Sequence, residues 1–149
     1  MIIAIDPGTY NSGIAIIEED TIRLSNLPAQ NTDIYIDRLI QDIDNIEKII
    51  IGNTKSKDKF SKLLSVKPEI IRLVDEKNST MDARQLCMQY YLKKLNLFKA
   101  VSVFFNGSHC DDWAALVLYC RNENIEADII FKKIFLAPDK SYMKTRHTL

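Results

Sequence analysis

Three places in this chain carry acids where acids can do chemistry. An apolar run from Met1 to Ile5 ends on Asp6. A second, from Ile70 to Val74, ends on Asp75 and Glu76. Asp111 and Asp112 open a stretch of helical periodicity, with His109 one turn before Asp112. A carboxylate at the end of a strand is rigidly placed, and strands and a helix can each deliver one acid to a common point. Phosphodiester hydrolysis by two metal ions needs such a set, because cations about 3.5–4 Å apart stabilise the attacking and leaving oxygens. Mg²⁺, or Mn²⁺ in its place, suits carboxylates plus retained waters. His109 adds a group that titrates near neutrality, as a proton carrier, a ligand neighbour or a phosphate contact. Each feature also has an ordinary reading: an Asp-Pro-Gly turn, a strand end, a complement to a helix N-terminus and a surface histidine.

These acids must be positioned by regular elements. Pro7 presets a turn dihedral and Gly8 allows positive φ, so Asp6 is expected at a hairpin mouth, pointing out of the sheet edge. Apolar content and β-branching predict strands over about 2–6, 12–18 and 21–25, an antiparallel meander. Ile36, Leu39, Ile40 and Ile43 follow helical spacing, predicting a helix over about 33–45 capped by Asn31 or Thr32. Lys48 to Gly52 reads as a buried, parallel strand. Lys55 to Leu64 reads as helical, and Ile70 to Val74 as a strand. Thr80 to Leu95 reads as a helix capped by Ser79 or Thr80, and Ser108 to Arg121 as another. Val101 to Phe105 reads as a strand or buried extended loop; Ile129 to Leu136 stays open between strand and helix. The order predicts an α/β fold: a mixed sheet, with a three-strand meander plus parallel strands, and helices on its faces. Functional groups gather at the carboxyl ends of strands in such sheets, where Asp6, Gly52 and Asp75-Glu76 fall. Trp113, Leu116, Val117 and Cys120 repeat as a core stripe.

With 149 residues, the chain is expected to form one domain, 1–149, around one core. An actin-like ATPase has two lobes and needs roughly twice that length on domain-size grounds. No apolar run of about 18 residues suggests a membrane span. Met1 leads into a strand without a charged start or cleavage site, so an intracellular protein is expected, not a secreted one. Cys87, Cys110 and Cys120 are odd in number and lack CxxC spacing, which reads as free thiols in a reducing compartment. Net charge is zero, yet residues 1–47 hold Arg23 and Arg38 against nine acids, and the remainder compensates with a matching excess of bases. That asymmetry can mark a polyanion-facing side. Lys55, Lys57, Lys59 and Lys62, then Lys77 and Arg84, are candidate phosphate contacts; Lys140, Lys144, Arg146 and His147 extend the basic set. Tyr90, Tyr91 and Phe98 read better as core or dimer packing than as base wedges.

Asp6-Pro7-Gly8-Thr9, with Gly13 following, resembles the first motif of the RuvC-like branch of the RNase H-like nucleases, and places Thr9 among the residues expected to meet nucleic acid. Actin-like and sugar-kinase ATPases share a similar strand-Asp-x-Gly-Thr hairpin. Val74 to Ala83 resembles the Asp-Glu motif of the YqgF (RuvX) subfamily, and Lys48 to Gly52 is similar to its preceding strand, although Asn53-Thr54 replace the Leu-Pro found there. Asp111 to Leu116 resembles the final helix of the family, and His109-x-x-Asp112 the form seen in RuvC resolvases; the two alignments leave Asp111 and Asp112 as alternatives. RuvC itself has a catalytic Glu after the fourth strand, where this chain has Gly52-Asn53, so Glu76 must supply that ligand. The resemblance spans roughly residues 1–120. It implies an RNase H-like fold and a Mg²⁺-dependent endonuclease, most simply a Holliday junction resolvase. Two ions would be held by Asp6, Glu76 and Asp111 or Asp112, a metal-activated water would attack phosphorus, and the 3′-hydroxyl would leave. Cutting two strands related by a two-fold axis calls for a C2 homodimer on branched DNA, with the helix Thr80–Leu95 as its interface. A YqgF-like RNase acting on structured RNA, a non-catalytic nucleic-acid-binding module and an ATPase fragment are the alternatives.

Overall fold

Along the central strands, successive apolar side chains point to opposite faces, and the layering of the molecule follows from that. In β1 (Ile2–Asp6), Ile3 and Ile5 face one way and Ala4 the other; in β4 (Lys48–Gly52), Ile49 and Ile51 oppose Ile50. The computed structural model describes residues 1–106 and 110–136. With β2 (Asn11–Ile17), β3 (Ile22–Pro28), β5 (Ile71–Val74) and β6 (Ile134–Leu136), these strands form one mixed six-stranded sheet in the order β5-β4-β1-β2-β3-β6. β1, β2 and β3 are the antiparallel meander; β4 joins β1, β5 joins β4 and β6 joins β3, all in parallel. The fold is therefore α/β, with helices on both faces.

On one face, Ile3, Ile5, Ile14, Ile16, Ile49 and Ile51 are covered by Ile36 and Leu39 of α1 (Thr32–Gln41), together with Phe60 and by Leu63 of α2 (Ser61–Val66). The other face presents Ala4 and Ala15, with Leu24 and Ile50 beside them. α5 (Asp111–Glu123) lies directly on these alanines, because methyl groups let a helix approach more closely than branched side chains would. Trp113, Ala114 and Leu118 of α5 are buried against the sheet layer. α3 (Ser79–Lys93) packs beside α5 through Ala83, Leu86, Cys87 and Tyr90. Tyr90 stands 5.2 Å from Trp113 and 5.8 Å from Phe131, ring centre to ring centre. The stripe read from the sequence is thus core at Trp113, Leu116 and Val117, with Cys120 half-buried.

Three expectations are corrected. Val101–Phe105 lies in a helix, α4 (Leu97–Asn106), not in a strand. Its β-branched and aromatic residues favour strand locally, but the Asn96 side chain accepts from the Lys99 amide (3.2 Å) and caps a helix that packs on the core through Ala100 and Val103. Helix α5 starts at Asp111, with Cys110 as its cap, rather than at Ser108. Lys55 to Phe60 is 3-10 helix before α2 begins, so its lysines do not share one α-helical face. The ambiguous stretch 129–136 divides: α6 (Ala127–Ile130) ends before β6 begins. The cap of α1 falls at Asn31, as expected, whereas that of α3 falls at Asn78 rather than Ser79 or Thr80; neither makes a side-chain cap bond. Among the described residues no helix is long and apolar enough to cross a membrane.

Candidate active site: carboxylates at the strand ends

Asp6 lies on the face of the sheet that carries α5, because it shares parity with Ala4. Its partner across the β1–β2 ladder is Gly13. A Cβ on Gly13 would fall 1.7 Å from the Asp111 carbonyl oxygen and 2.9 Å from the Asp112 amide nitrogen. The first turn of α5 therefore rests on bare backbone, which a glycine alone allows, and Asp111 comes down beside Asp6.

On the other side of Asp6, β4 ends in Gly52, paired with Val74 of β5. Two residues past Val74, the chain turns and sends the Glu76 side chain back over Gly52. A Cβ at Gly52 would meet Glu76 Oε2 at 2.5 Å, Pro7 Cδ at 3.1 Å and Leu118 Cδ1 at 3.2 Å. The absence of an acid at Gly52 thus makes room for the acid of the next strand.

The electrostatics record this crowding. Burial pushes the Asp6 carboxyl up from 3.8 to about 7, reinforced by the negative charge of Glu76, a hydrogen bond to Glu76 and the charge of Asp111. Burial also raises Glu76, and Asp75 adds to the shift, while the hydrogen bond with Asp6 partly offsets it. Asp6 and Glu76 are hydrogen-bonded to each other at the strand ends. Glu76 Oε2 is buried without a hydrogen-bond partner among the described residues. Asp6 is half-buried, not turned outward as the hairpin suggested, because α5 and the 75–78 loop close over it.

Asp111 and Asp112 point their charges to different places. Asp111 acts on Asp6. Asp112 accepts from the Trp113 amide (3.0 Å) and its charge is felt by Cys87, Cys110 and Tyr91. The three thiols are free, with Cys87 and Cys110 buried. His109 lies outside the described residues, as do Lys140, Lys144, Arg146 and His147.

The donor set of Asp6, Glu76 and Asp111 is all oxygen. A buried, unpartnered oxygen and crowded acids whose carboxyls are held above their ordinary range are what a hard cation would relieve. Among the described residues, no three His, Cys, Asp or Glu side chains are grouped as a ready-made metal site; the fit is one of donor chemistry and convergence.

The basic residues are divided. Lys59 Nζ donates to the carbonyls of Gly8 (3.0 Å) and Thr9 (2.6 Å), fastening the first turn from below. Lys57 Nζ donates to Asn53 Oδ1 at 2.5 Å, and Thr54 Oγ1 donates to the Pro7 carbonyl at 3.5 Å. Thr9, Lys55, Lys77 and Arg84 are exposed, and the charge of Arg84 reaches Cys110. Lys62 is ion-paired with Asp37 of α1 instead.

Sequence reading missed Arg121. From α5 its guanidinium reaches the loop that carries Glu76, donating to the Asp75 carbonyl at 2.9 Å and the Lys77 carbonyl at 3.0 Å, and it pairs with Asp82 at 2.6 Å. A cavity of about 400 Å³ opens beside Arg121, between Gln85 and Gln89 of α3 and Asn124 and Glu126; Asp6, Glu76 and Asp111 do not line it. No protein-family model matches the chain, and no curated protein sequence matches it.

Proposed function

We propose that this protein is a metal-dependent endonuclease of the RuvC-like, RNase H-like type that resolves four-way DNA junctions as a homodimer. The observation that carries the reading is the convergence of Glu76, seated over Gly52, and Asp111, seated over Gly13, on Asp6 at the end of β1. The meander followed by parallel β4 and β5 is in keeping with an RNase H-like sheet. Asp6, Glu76 and Asp111 lie outside the open cavity beside Arg121, at the ends of the strands, as suits a site for a polymer backbone.

In this reading Asp6, Glu76 and Asp111 hold Mg²⁺, which when bound supplies a Lewis acid for the phosphoryl oxygens and a water of lowered pKa. As a ligand, Asp6 would act in its ionised form. Lys59 keeps the Gly8–Thr9 turn in place, so Thr9 faces the incoming strand. Lys55, Lys57, Lys77 and Arg84 draw in phosphates without regard to sequence. Exposed Leu95, Leu97, Phe98 and Val101, at the corner of α3 and α4, support a subunit interface on that side, with Phe98 93% exposed in the single chain.

A second reading has one observation in its favour. The seat that Gly52 provides for Glu76 is the arrangement implied by the YqgF-like motif, for which structured RNA is the substrate. One experiment separates the two. Purified protein is incubated with a labelled four-way DNA junction, a duplex and a structured RNA, with Mg²⁺ or chelator. Paired, metal-dependent nicks in the junction are expected, lost in Asp6→Asn while junction binding persists. Trimmed RNA beside an intact junction moves the assignment to an RNase, and normal turnover by Asp6→Asn sinks the metal assignment.

A further inference from the structure

We infer that Arg121 is the positioning residue for Glu76. The two carbonyls it binds belong to Asp75 and Lys77, the neighbours of Glu76 on either side. One guanidinium therefore brackets the residue, and its planar fork fixes the two carbonyls relative to each other. Its third bond, to Asp82 Oδ2, ties the bracket to the first turn of α3. The remaining restraints on the loop are local: the Lys77 amide donates to Asp75 Oδ1 (3.0 Å), the Ser79 amide donates to the Glu76 carbonyl (2.8 Å), and Asn78 takes a left-handed conformation. The Glu76 side chain is hydrogen-bonded to Asp6, yet it tends to leave, because its carboxylate is partly buried, has an unpartnered oxygen and lies near the charge of Asp75. Arg121 holds the backbone against that tendency.

What Glu76 is held for rests on the metal reading proposed above; that it is held does not. Arg121→Gln and Arg121→Lys are compared with Lys48→Met, which breaks a different ion pair of the same helix, the part-buried Lys48–Glu123 at 2.6 Å. Two quantities are read on the full chain: Mn²⁺ affinity, and hydrogen exchange at the Lys77 and Ser79 amides without metal. Arg121→Gln is expected to weaken Mn²⁺ binding about tenfold or more, as loss of a supporting contact does, and to speed exchange at both amides. Arg121→Lys falls between, because an ammonium cannot bridge two carbonyls in the same geometry. Lys48→Met changes neither. Should Arg121→Gln fail to fold, Arg121→Lys carries the comparison. Unchanged exchange overturns the inference, and so does faster exchange with unaltered Mn²⁺ affinity. A wild-type chain that binds no Mn²⁺ overturns the metal reading instead, and exchange alone then decides for or against Arg121.

Discussion

Glu76 occupies the space that a side chain at Gly52 would fill: a Cβ there would stand 2.5 Å from Glu76 Oε2. The end of β4 and the acid beyond β5 are one feature, because the smaller the first, the deeper the second can sit. Gly52→Ala should push the Glu76 carboxylate out of its seat. The fold should survive, at a cost of about 1–3 kcal/mol for overpacking, while divalent-cation affinity falls by about tenfold or more. Urea unfolding alongside a Mn²⁺ titration reads both. Wild-type affinity in the variant would show that Glu76 does not need the seat.

Gly13→Ala should behave differently. There the added methyl meets backbone, 1.7 Å from the Asp111 oxygen and 2.3 Å from its carbonyl carbon, and no rotamer relieves that. Helix α5 must lift from β2 and take Trp113 with it. A loss of more than about 3 kcal/mol is expected, in the range of severe core disruption. If the urea midpoint of Gly13→Ala matches that of Gly52→Ala, the close approach of α5 to the sheet is wrong.

Acidity supplies a third test. The folded chain holds the Asp6 proton up to about 7 against an ordinary 3.8, so the native state binds more protons than the unfolded state between those values. Stability therefore falls as pH rises through that window and levels off above it. Glu76, raised for the same leading reason, acts in the same direction. Asp6→Asn removes the penalty and should exceed the wild type in stability by a few kcal/mol at about pH 8, with little difference near the bottom of the window. Mg²⁺ should restore the wild type at the higher pH and leave the variant unchanged. Parallel stability–pH curves for the two proteins would refute the raised Asp6 carboxyl.

The paired acids at the start of α5 should separate in function. Asp111→Asn removes a charge felt by Asp6, so it should abolish metal-dependent cleavage, a loss on the order of 10³-fold or more. Asp112 faces the Cys87, Cys110 and Tyr91 side. Its replacement by Asn should leave cleavage within about tenfold and act mainly on stability, by about 1 kcal/mol. Single-turnover cleavage rates of the two variants settle the order; the reverse ranking would move the third ligand to Asp112.

Much of this arrangement can be read in the chain because the signals are local. Three consecutive isoleucines before Gly52 mark β4 to the residue, and the apolar run before Asp6 marks β1, since buried strands leave a continuous record. α4 was misread because Val101, Val103, Phe104 and Phe105 favour strand, while the decisive signal, Asn96 as a cap, is one residue among many asparagines. The seats at Gly13 and Gly52 depend on cross-strand register and on what lies above the sheet, and neither is written along the chain. Arg121 left no trace because its main partners are carbonyl groups, which every residue has.

The pairing of β6 with β3 has a consequence during synthesis. Lys133 Nζ donates to the Glu19 carbonyl across 114 positions, and Ile22 to Leu24, paired with β2 on one edge, find partners for the other edge at Ile134 to Leu136. While the ribosome is still translating the helices, β3 offers an open row of amides and carbonyls at the margin of the sheet. Such a margin recruits strands from neighbouring molecules. The interval before residues 134–136 emerge is when a nascent chain has most need of a chaperone, and an interrupted product lacking them would keep that margin open.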